Sequence, residues 1–382
     1  MSERNLLMIP GPIEFEPSVL RALGEKTRSH LDPVFMNAYG RALKRLREVF
    51  LAPTAQPFVV AGSGTLAMEM AVANLVQPGD KALVVNSGYF SDRIGAMLER
   101  HGATVTHLRA DPGAVPATDE VDRALSSGGF KLMTITHVDT STAVLAPVKE
   151  LAAAARKHGV LVVVDGVCSV GGEALEMDGW GVDVTFTASQ KALGAPPGLA
   201  VLLAGPRALA AWKARTKPVA SMYLDFAEWL PIHEAYEAQK PSYFATPPVN
   251  LIMALDVSLG HLVDEGIAAR VQRHVNVATS MRAAWAALGL TALPKNDRMS
   301  AHTLSALYYP GSVDAALVKA VAAQGVTIAG GLHPQLKTKY FRVGHMGGVT
   351  RSDLVTTVSA IERALRACGH PVELGRGVAA LG

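Results

Sequence analysis

A carboxylate and an amine stand at the ends of two apolar runs in the middle of this chain. Val160 to Val164 is β-branched or apolar throughout and stops at Asp165, and a second run, Val182 to Ala188, apolar or β-branched apart from Asp183, ends in Ser189, Gln190 and Lys191. Such runs mark strands buried on both faces of a parallel sheet. Open α/β sheets collect ligands in the crevice beyond the carboxyl ends of their strands, so acid and amine are expected to face one pocket. Pyridoxal phosphate (PLP) chemistry needs that pair. A lysine holds the cofactor aldehyde as a Schiff base, and an acid keeps the pyridine nitrogen protonated so that the ring becomes an electron sink. Taken singly, Asp165 could cap a helix and Lys191 could be a solvated surface residue; the pairing carries the chemistry.

The elements that must position these groups are legible on either side. "PFVVAGSGTLAMEMAVANLV" predicts a strand, a glycine turn and a helix opening at Thr65. Strand, glycine loop and helix N-terminus make an anion site, because unpaired N–H groups and the helix dipole point into the loop. Strands at 82–86, 104–108 and 132–136 then alternate with helices at 92–101, 119–125 and 148–158, ahead of the strand that ends at Asp165. This alternation predicts an α/β fold with a mostly parallel sheet covered on both sides. Before it, helices are expected at 17–23 and 33–51, behind an arm shaped by the prolines of "IPGP". After Lys191 come a strand at 199–203, an irregular aromatic and proline-rich segment to Val249, and helices at 251–265 and 267–288. Short strands in "HTLSALYYP", "VTIAGG" and "YFRVGHMG", with helices at 313–324 and 351–368, predict a smaller C-terminal α+β domain. The expected division is an arm at 1–20, a large domain at 21–259 and a small domain at 260–382.

Other signals are weaker. Gly62, Gly64 and Ala67 spell G-x-G-x-x-A after a strand, which makes an NAD-dependent Rossmann oxidoreductase the remote alternative. That fingerprint wants an acid at the end of the next strand to hold a ribose, and here the strand ends in Asn86 and Ser87. No metal site is expected: His233-Glu234 opens like a zinc-protease helix, but Glu237 stands where the second histidine belongs. Cys168, three residues beyond a buried strand, reads as a packed residue rather than an exposed sulfur carrier.

Composition bounds the rest. With 382 residues, 49% of them hydrophobic, the chain can build a large core and about two structural units. A net charge of +3 spread along the chain gives no nucleic-acid footprint. Two cysteines cannot frame disulfides, no apolar run approaches the ~20 residues of a membrane helix, and the amino terminus lacks a leader pattern. A cytoplasmic protein with no membrane partner is expected.

Nearly the whole chain, from "IPGP" to "RVGHMGG", resembles the class V, fold type I PLP-dependent aminotransferases, and within them the fungal type of alanine-glyoxylate aminotransferase. The resemblance rests on "PFVVAGSGT", "HVDTSTAVL", "VVDGVCSVG", "TASQKALGAP", "YFATPPVNLI", "MSAH" and "IAGGLH". It implies a large domain with a seven-stranded sheet sandwiched by helices, a smaller C-terminal domain, and a homodimer with shared active sites. By position it implies Lys191 as the Schiff-base lysine and Asp165 as the partner of the pyridine nitrogen. Ser63, Gly64, Thr65 and Gln190 would receive the phosphate, Phe90 would stack on one ring face, and Val167 would pack on the other. Thr140 would lie near the phenolic oxygen, and Tyr243 and Thr246 would reach the phosphate of the neighbouring subunit. Arg342 would clamp the substrate carboxylate through the planar fork that lysine lacks. Gly11 in the arm would crowd the substrate and admit only small side chains. The implied reaction converts alanine, or serine second, and glyoxylate to pyruvate or its analogue and glycine, with a part in glycine formation; serine-glyoxylate and serine-pyruvate exchange are the alternatives.

Overall fold

A computed structural model describes residues 5–311 and 313–382; the first four residues of the expected arm lie outside them. In the arm, Leu6–Leu7 (β1) is followed by helices Pro17–Leu23 (α1) and Pro33–Val49 (α2). Both helices open on a proline at a first-turn position where a missing N–H costs nothing, and Asp32 caps α2 by accepting from Val34 N–H at 2.8 Å. The alternating region runs Gln56–Ala61 (β2), Gly64–Leu75 (α3), Lys81–Asn86 (β3), Tyr89–Arg100 (α4), Thr104–Arg109 (β4), Thr118–Gly128 (α5) and Leu132–Thr136 (β5). A two-strand hairpin, Val138–Asp139 (β6) and Val144–Leu145 (β7), precedes Val148–Lys157 (α6), Leu161–Asp165 (β8), Val184–Ala188 (β9) and Leu199–Ala204 (β10).

Seven of these strands form one sheet in the order β2-β10-β9-β8-β5-β3-β4. Only β10 is reversed, pairing antiparallel with both β9 and β2. The carboxyl ends of β2, β3, β5, β8 and β9 therefore share one edge, with Thr136, Asp165 and Phe186 in register. Alternate side chains enter opposite cores: Val162 and Val164 join the layer containing Leu43 and Leu151, whereas Leu161 and Val163 join the layer containing Met70 and Phe226. This two-sided burial is what the unbroken apolar runs encode.

The segment after β10 is not irregular, as the sequence suggested. It contains Pro206–Lys213 (α7) and Phe226–Glu237 (α8). Pro231 lies inside α8, where proline ordinarily breaks a helix. Two features hold that helix: Asp225 accepts from Ala227 N–H at 3.0 Å, and Phe226, Trp229, Ile232, His233 and Tyr236 bury one stripe. His233 is thereby a core residue, with Nδ1 against Trp229 O at 2.7 Å and Nε2 accepting Val59 N–H at 3.1 Å.

Val249–Glu265 (α9) packs into the first core, and Ile267–Ala287 (α10) leads to a third core built with Leu304–Tyr308 (β11), Ala316–Ala322 (α11), Val326–Thr327 (β12), Ala329–Gly330 (β13), Tyr340–Gly344 (β14) and Arg351–Ala367 (α12). The expected single strand in "VTIAGG" is split. β12 pairs with β1 of the arm, whereas β13 pairs with β14, whose other edge pairs with β11. Leu6 and Met8 are buried in this third core, so the arm is stitched to the C-terminal sheet before it crosses the site.

Candidate active site

Asp165 closes β8 and Lys191 stands three residues beyond β9, on a turn braced by buried Ser189. The Ser189 hydroxyl donates to Pro196 O at 2.6 Å and accepts from Leu199 N–H at 3.2 Å. Asp165 is 3% exposed, and Oδ1 accepts from Val167 N–H at 2.9 Å. Burial pushes its carboxyl up to about 7; the Val167 bond and nearby Lys191 and Arg93 oppose the shift, while Asp139 adds to it. A carboxyl poised near neutrality can share a proton with an incoming ring nitrogen.

The arm lies directly on the lysine. Lys191 Nζ donates to Pro10 O, and Ile13 N–H donates to Gln190 O at 3.2 Å. Gly11 has φ +103°, and a Cβ there would stand 2.5 Å from Lys191 Nζ. Only glycine fits that backbone and that approach.

Below the arm, β2 runs into the glycine turn and α3. Ser63 is the N-cap residue but its side chain makes no cap bond, and the helix ladder begins with Ala67 N–H to Ser63 O at 3.1 Å. The amides of Gly64, Thr65 and Leu66 precede that bond and open into the turn, beside the exposed side chains of Ser63 and Thr65. A Cβ on Gly64 would meet Ala188 Cβ and Val167 Cγ2, each at 3.2 Å, so this cradle abuts the strand ends that carry Asp165 and Lys191. Among the described residues Gln190 Oε1 is buried with no partner. An anion cradle, an amine and a buried acid gathered at one sheet edge fit PLP.

Phe90 and Arg342 meet at the hairpin β6–β7. Asp139 is fully buried; Oδ2 accepts from Phe90 N–H at 3.0 Å, and Oδ1 accepts from the Ser141 amide at 2.9 Å and the Ser141 hydroxyl at 2.5 Å. Burial raises its carboxyl from the usual range. Thr140 Oγ1 lies 2.7 Å from Cys168 Sγ, and Cys168 is 1% exposed, so both are packed against the site floor. Arg342 reaches across from β14, donating through Nε to Gly330 O at 2.9 Å and through Nη1 to Thr140 O at 3.1 Å. These partners are carbonyls; no described carboxylate forms an ion pair with Arg342, which leaves part of the fork for a ligand. Two residues earlier, buried Tyr340 donates to Ser141 O and accepts from Leu332 N–H and His333 N–H, each at 2.8 Å.

Lys191, Asp165, Gly11, Ser63, Gly64, Thr65, Phe90, Thr140, Val167, Gln190 and Arg342 are therefore gathered around one sheet edge. Tyr243 and Thr246 are not joined to them by any hydrogen bond among the described residues. Tyr243 is 62% exposed, stands 5.4 Å from the His30 ring and touches Thr246 at 3.5 Å. Sequence reasoning missed Asp139, Tyr340 and Arg93. The polar run "HVDTST" was the available signal for Asp139, but nothing local in it says which oxygen meets which amide.

The sequence pattern of the aminotransferase class-V family matches residues 18–358. Alanine-glyoxylate aminotransferase 1 of Saccharomyces cerevisiae is 39% identical over 354 residues, covering 89% of this chain and 91% of its own. The L-aspartate-glyoxylate aminotransferase of Paracoccus denitrificans is 33% identical over 100% of this chain and 96% of its own. Among solved structures, an alanine-glyoxylate aminotransferase from Nostoc sp. superposes with a TM-score of 0.90 at 32% identity, covering 96% of each chain.

Proposed function

The chain belongs to the class V aminotransferases, enzymes of fold type I that work with PLP, and from that premise we propose that it moves the amino group of alanine, with serine second, to glyoxylate, forming pyruvate and glycine. Membership leaves no place for the nicotinamide reading. The observation that carries the substrate class is the single arginine fork of Arg342 opposite an arm whose Gly11 lies against Lys191. One clamp suits one carboxylate, and the arm leaves little room beyond a methyl or hydroxymethyl group. The names of the yeast and Paracoccus relatives share glyoxylate and differ in the donor, alanine or aspartate.

When bound, PLP supplies the electron sink for breaking the donor's Cα–H bond. The chain supplies the rest. Ser63, Gly64, Thr65 and Gln190 would hold the phosphate, Phe90 and Val167 would flank the ring, and Thr140 would lie by its phenolic edge. Asp165 would hold a proton at the pyridine nitrogen. Lys191 Nζ would hold the cofactor aldehyde until a donor arrives and, once freed, would serve as the base that carries the donor's Cα proton. Its contact with Pro10 O must break for that step, so the arm and the amine act together. Arg342 orients the carboxylate of each substrate in turn, and the arm excludes water.

Tyr243 and Thr246, exposed and making no hydrogen bond to the site residues among the described residues, suit service to a second copy, so the working form in this reading is a homodimer with shared sites, acting in the cytoplasm. The arm, the large domain at 21–259 and the small domain at 260–382 are its working parts. Mixing Lys191→Ala subunits with Tyr243→Ala/Thr246→Ala subunits should restore activity in heterodimers; none after verified exchange would refute shared sites. Initial rates with alanine and glyoxylate should give parallel-line, ping-pong kinetics with pyruvate and glycine as products. A higher kcat/KM for aspartate or glutamate than for alanine would overturn the donor assignment while leaving the transaminase intact.

A further inference from the structure

Arg93 takes no part in the chemistry above, yet it stands at the cofactor end of the site. Its guanidinium carbon lies 5.0 Å from the ring centroids of both Tyr89 and Phe90. Nη2 donates to Tyr89 Oη at 3.0 Å and Nη1 donates to Thr65 Oγ1 at 3.2 Å. Thr65 belongs to the amide cradle at the start of α3. The acid beside Arg93 in sequence, Asp92, is already engaged by Arg109 at 2.5 Å and Asn86 at 2.8 Å. No described carboxylate pairs with Arg93, and its charge reaches far enough to favour ionised Asp165.

A phosphate monoester carries about −1.5 to −2 charge at neutral pH. Every group expected to receive it here is neutral: the Ser63 and Thr65 hydroxyls, the α3 amides, Gln190, and Tyr243 with Thr246 from a second copy. Burying a doubly charged group among neutral donors leaves most of its charge uncompensated. Resting on the PLP reading, we propose that Arg93 is the cation that binds the cofactor phosphate, with Tyr89 and Phe90 holding its guanidinium at the Thr65 cradle. The aromatic wall then has two duties: it stacks on the ring and aims the charge. An arginine committed to the phosphate is also unavailable to the distal carboxylate of an acidic amino donor, which leaves Arg342 as the one carboxylate clamp.

The test compares wild-type, Arg93→Gln and Arg93→Lys apoenzymes titrated with PLP and with pyridoxal, which keeps the ring and aldehyde but lacks the phosphate. Binding is read from tryptophan fluorescence and the visible absorption band. Arg93→Gln is expected to weaken PLP binding by about ten- to a hundredfold, the range of a charge-assisted hydrogen bond, while pyridoxal affinity stays unchanged. Arg93→Lys keeps the charge without the fork and should fall between the two for PLP alone, which covers a Gln variant that fails to fold. Inorganic phosphate should compete with PLP on the wild type and lose that effect in the variant. Equal losses for PLP and pyridoxal would make Arg93 a support of the aromatic wall and overturn the proposal. Unchanged PLP affinity would also overturn it, and with a selective loss of aspartate turnover would assign Arg93 to a distal carboxylate. A wild-type protein that binds neither aldehyde would instead overturn the PLP reading on which the inference rests.

Discussion

Arg342 Nη1 donates to the carbonyl of Thr140 at 3.1 Å, so a residue of the C-terminal sheet is anchored on the hairpin that also holds the aromatic wall. The bond and its companion to Gly330 O fix the guanidinium plane. Burial lowers the Arg342 pKa from its usual value, yet the group stays cationic because arginine titrates so far above neutrality. Arg342→Lys should therefore keep a charge and lose both the fork and the anchoring. The expected outcome is a kcat/KM about a hundredfold lower for both substrates, carried mainly by KM, because two charge-assisted bonds are replaced by a point charge. Steady-state kinetics check this; an unchanged KM for alanine and for glyoxylate would remove Arg342 from the site.

Asp165 gives the apoenzyme a characteristic pH dependence. Its carboxyl ionises near 3.8 in the unfolded chain and at about 7 when buried, so between those values the folded state binds the extra proton. Stability is thus lost as pH rises from about 4 to about 7, by at most ~1.4 kcal/mol per pH unit. Asp139 is raised in the same direction, and the comparison with Asp165→Asn isolates one group. Urea midpoints of the apoenzymes at about pH 5 and about pH 8 should differ more in wild type than in Asp165→Asn. Parallel pH profiles would contradict the buried, proton-holding carboxyl.

Gly11→Ala puts a methyl group 2.5 Å from Lys191 Nζ at a φ of +103°. Backbone strain there costs about 1 kcal/mol or more, and the tip of Lys191 or the arm must shift to relieve the contact. A tenfold or greater fall in kcat/KM is expected, equivalent to ~1.4 kcal/mol of barrier. PLP content, measured after alkaline release, should stay near that of wild type, since the cradle at Ser63 to Thr65 is untouched. Wild-type kcat/KM in Gly11→Ala would show that the arm does not govern the amine.

Most of the architecture was legible because local pattern and tertiary burial agree. Leu132–Thr136 and Pro17–Leu23 fall where the apolar run and the proline at N1 put them. Pro231 and β10 show why parts of it escaped. Pro231 reads as a helix breaker, and α8 survives through a stripe whose partners lie elsewhere in the chain. The reversal of β10 leaves no trace, since a strand buried on both faces is apolar in either direction. In the site, Lys191 and Asp165 announced themselves by ending buried runs. Asp139, Tyr340 and Arg93 act on backbone or hydroxyl partners brought near by the fold, at Phe90, Ser141 and Thr65, and no spacing encodes those meetings.

The central claim, that Lys191 and Asp165 operate PLP for amino transfer, is tested most directly by a single half-reaction. Purified protein loaded with PLP is mixed with alanine in the absence of any acceptor, and the visible absorption band and pyruvate are followed together. The account predicts one pyruvate per site as the band is lost, return of the band with glycine formation on adding glyoxylate, and neither the band nor turnover in Lys191→Ala. A loaded protein whose band is unaffected by alanine, or a Lys191→Ala protein that keeps a borohydride-sensitive visible band, would contradict it.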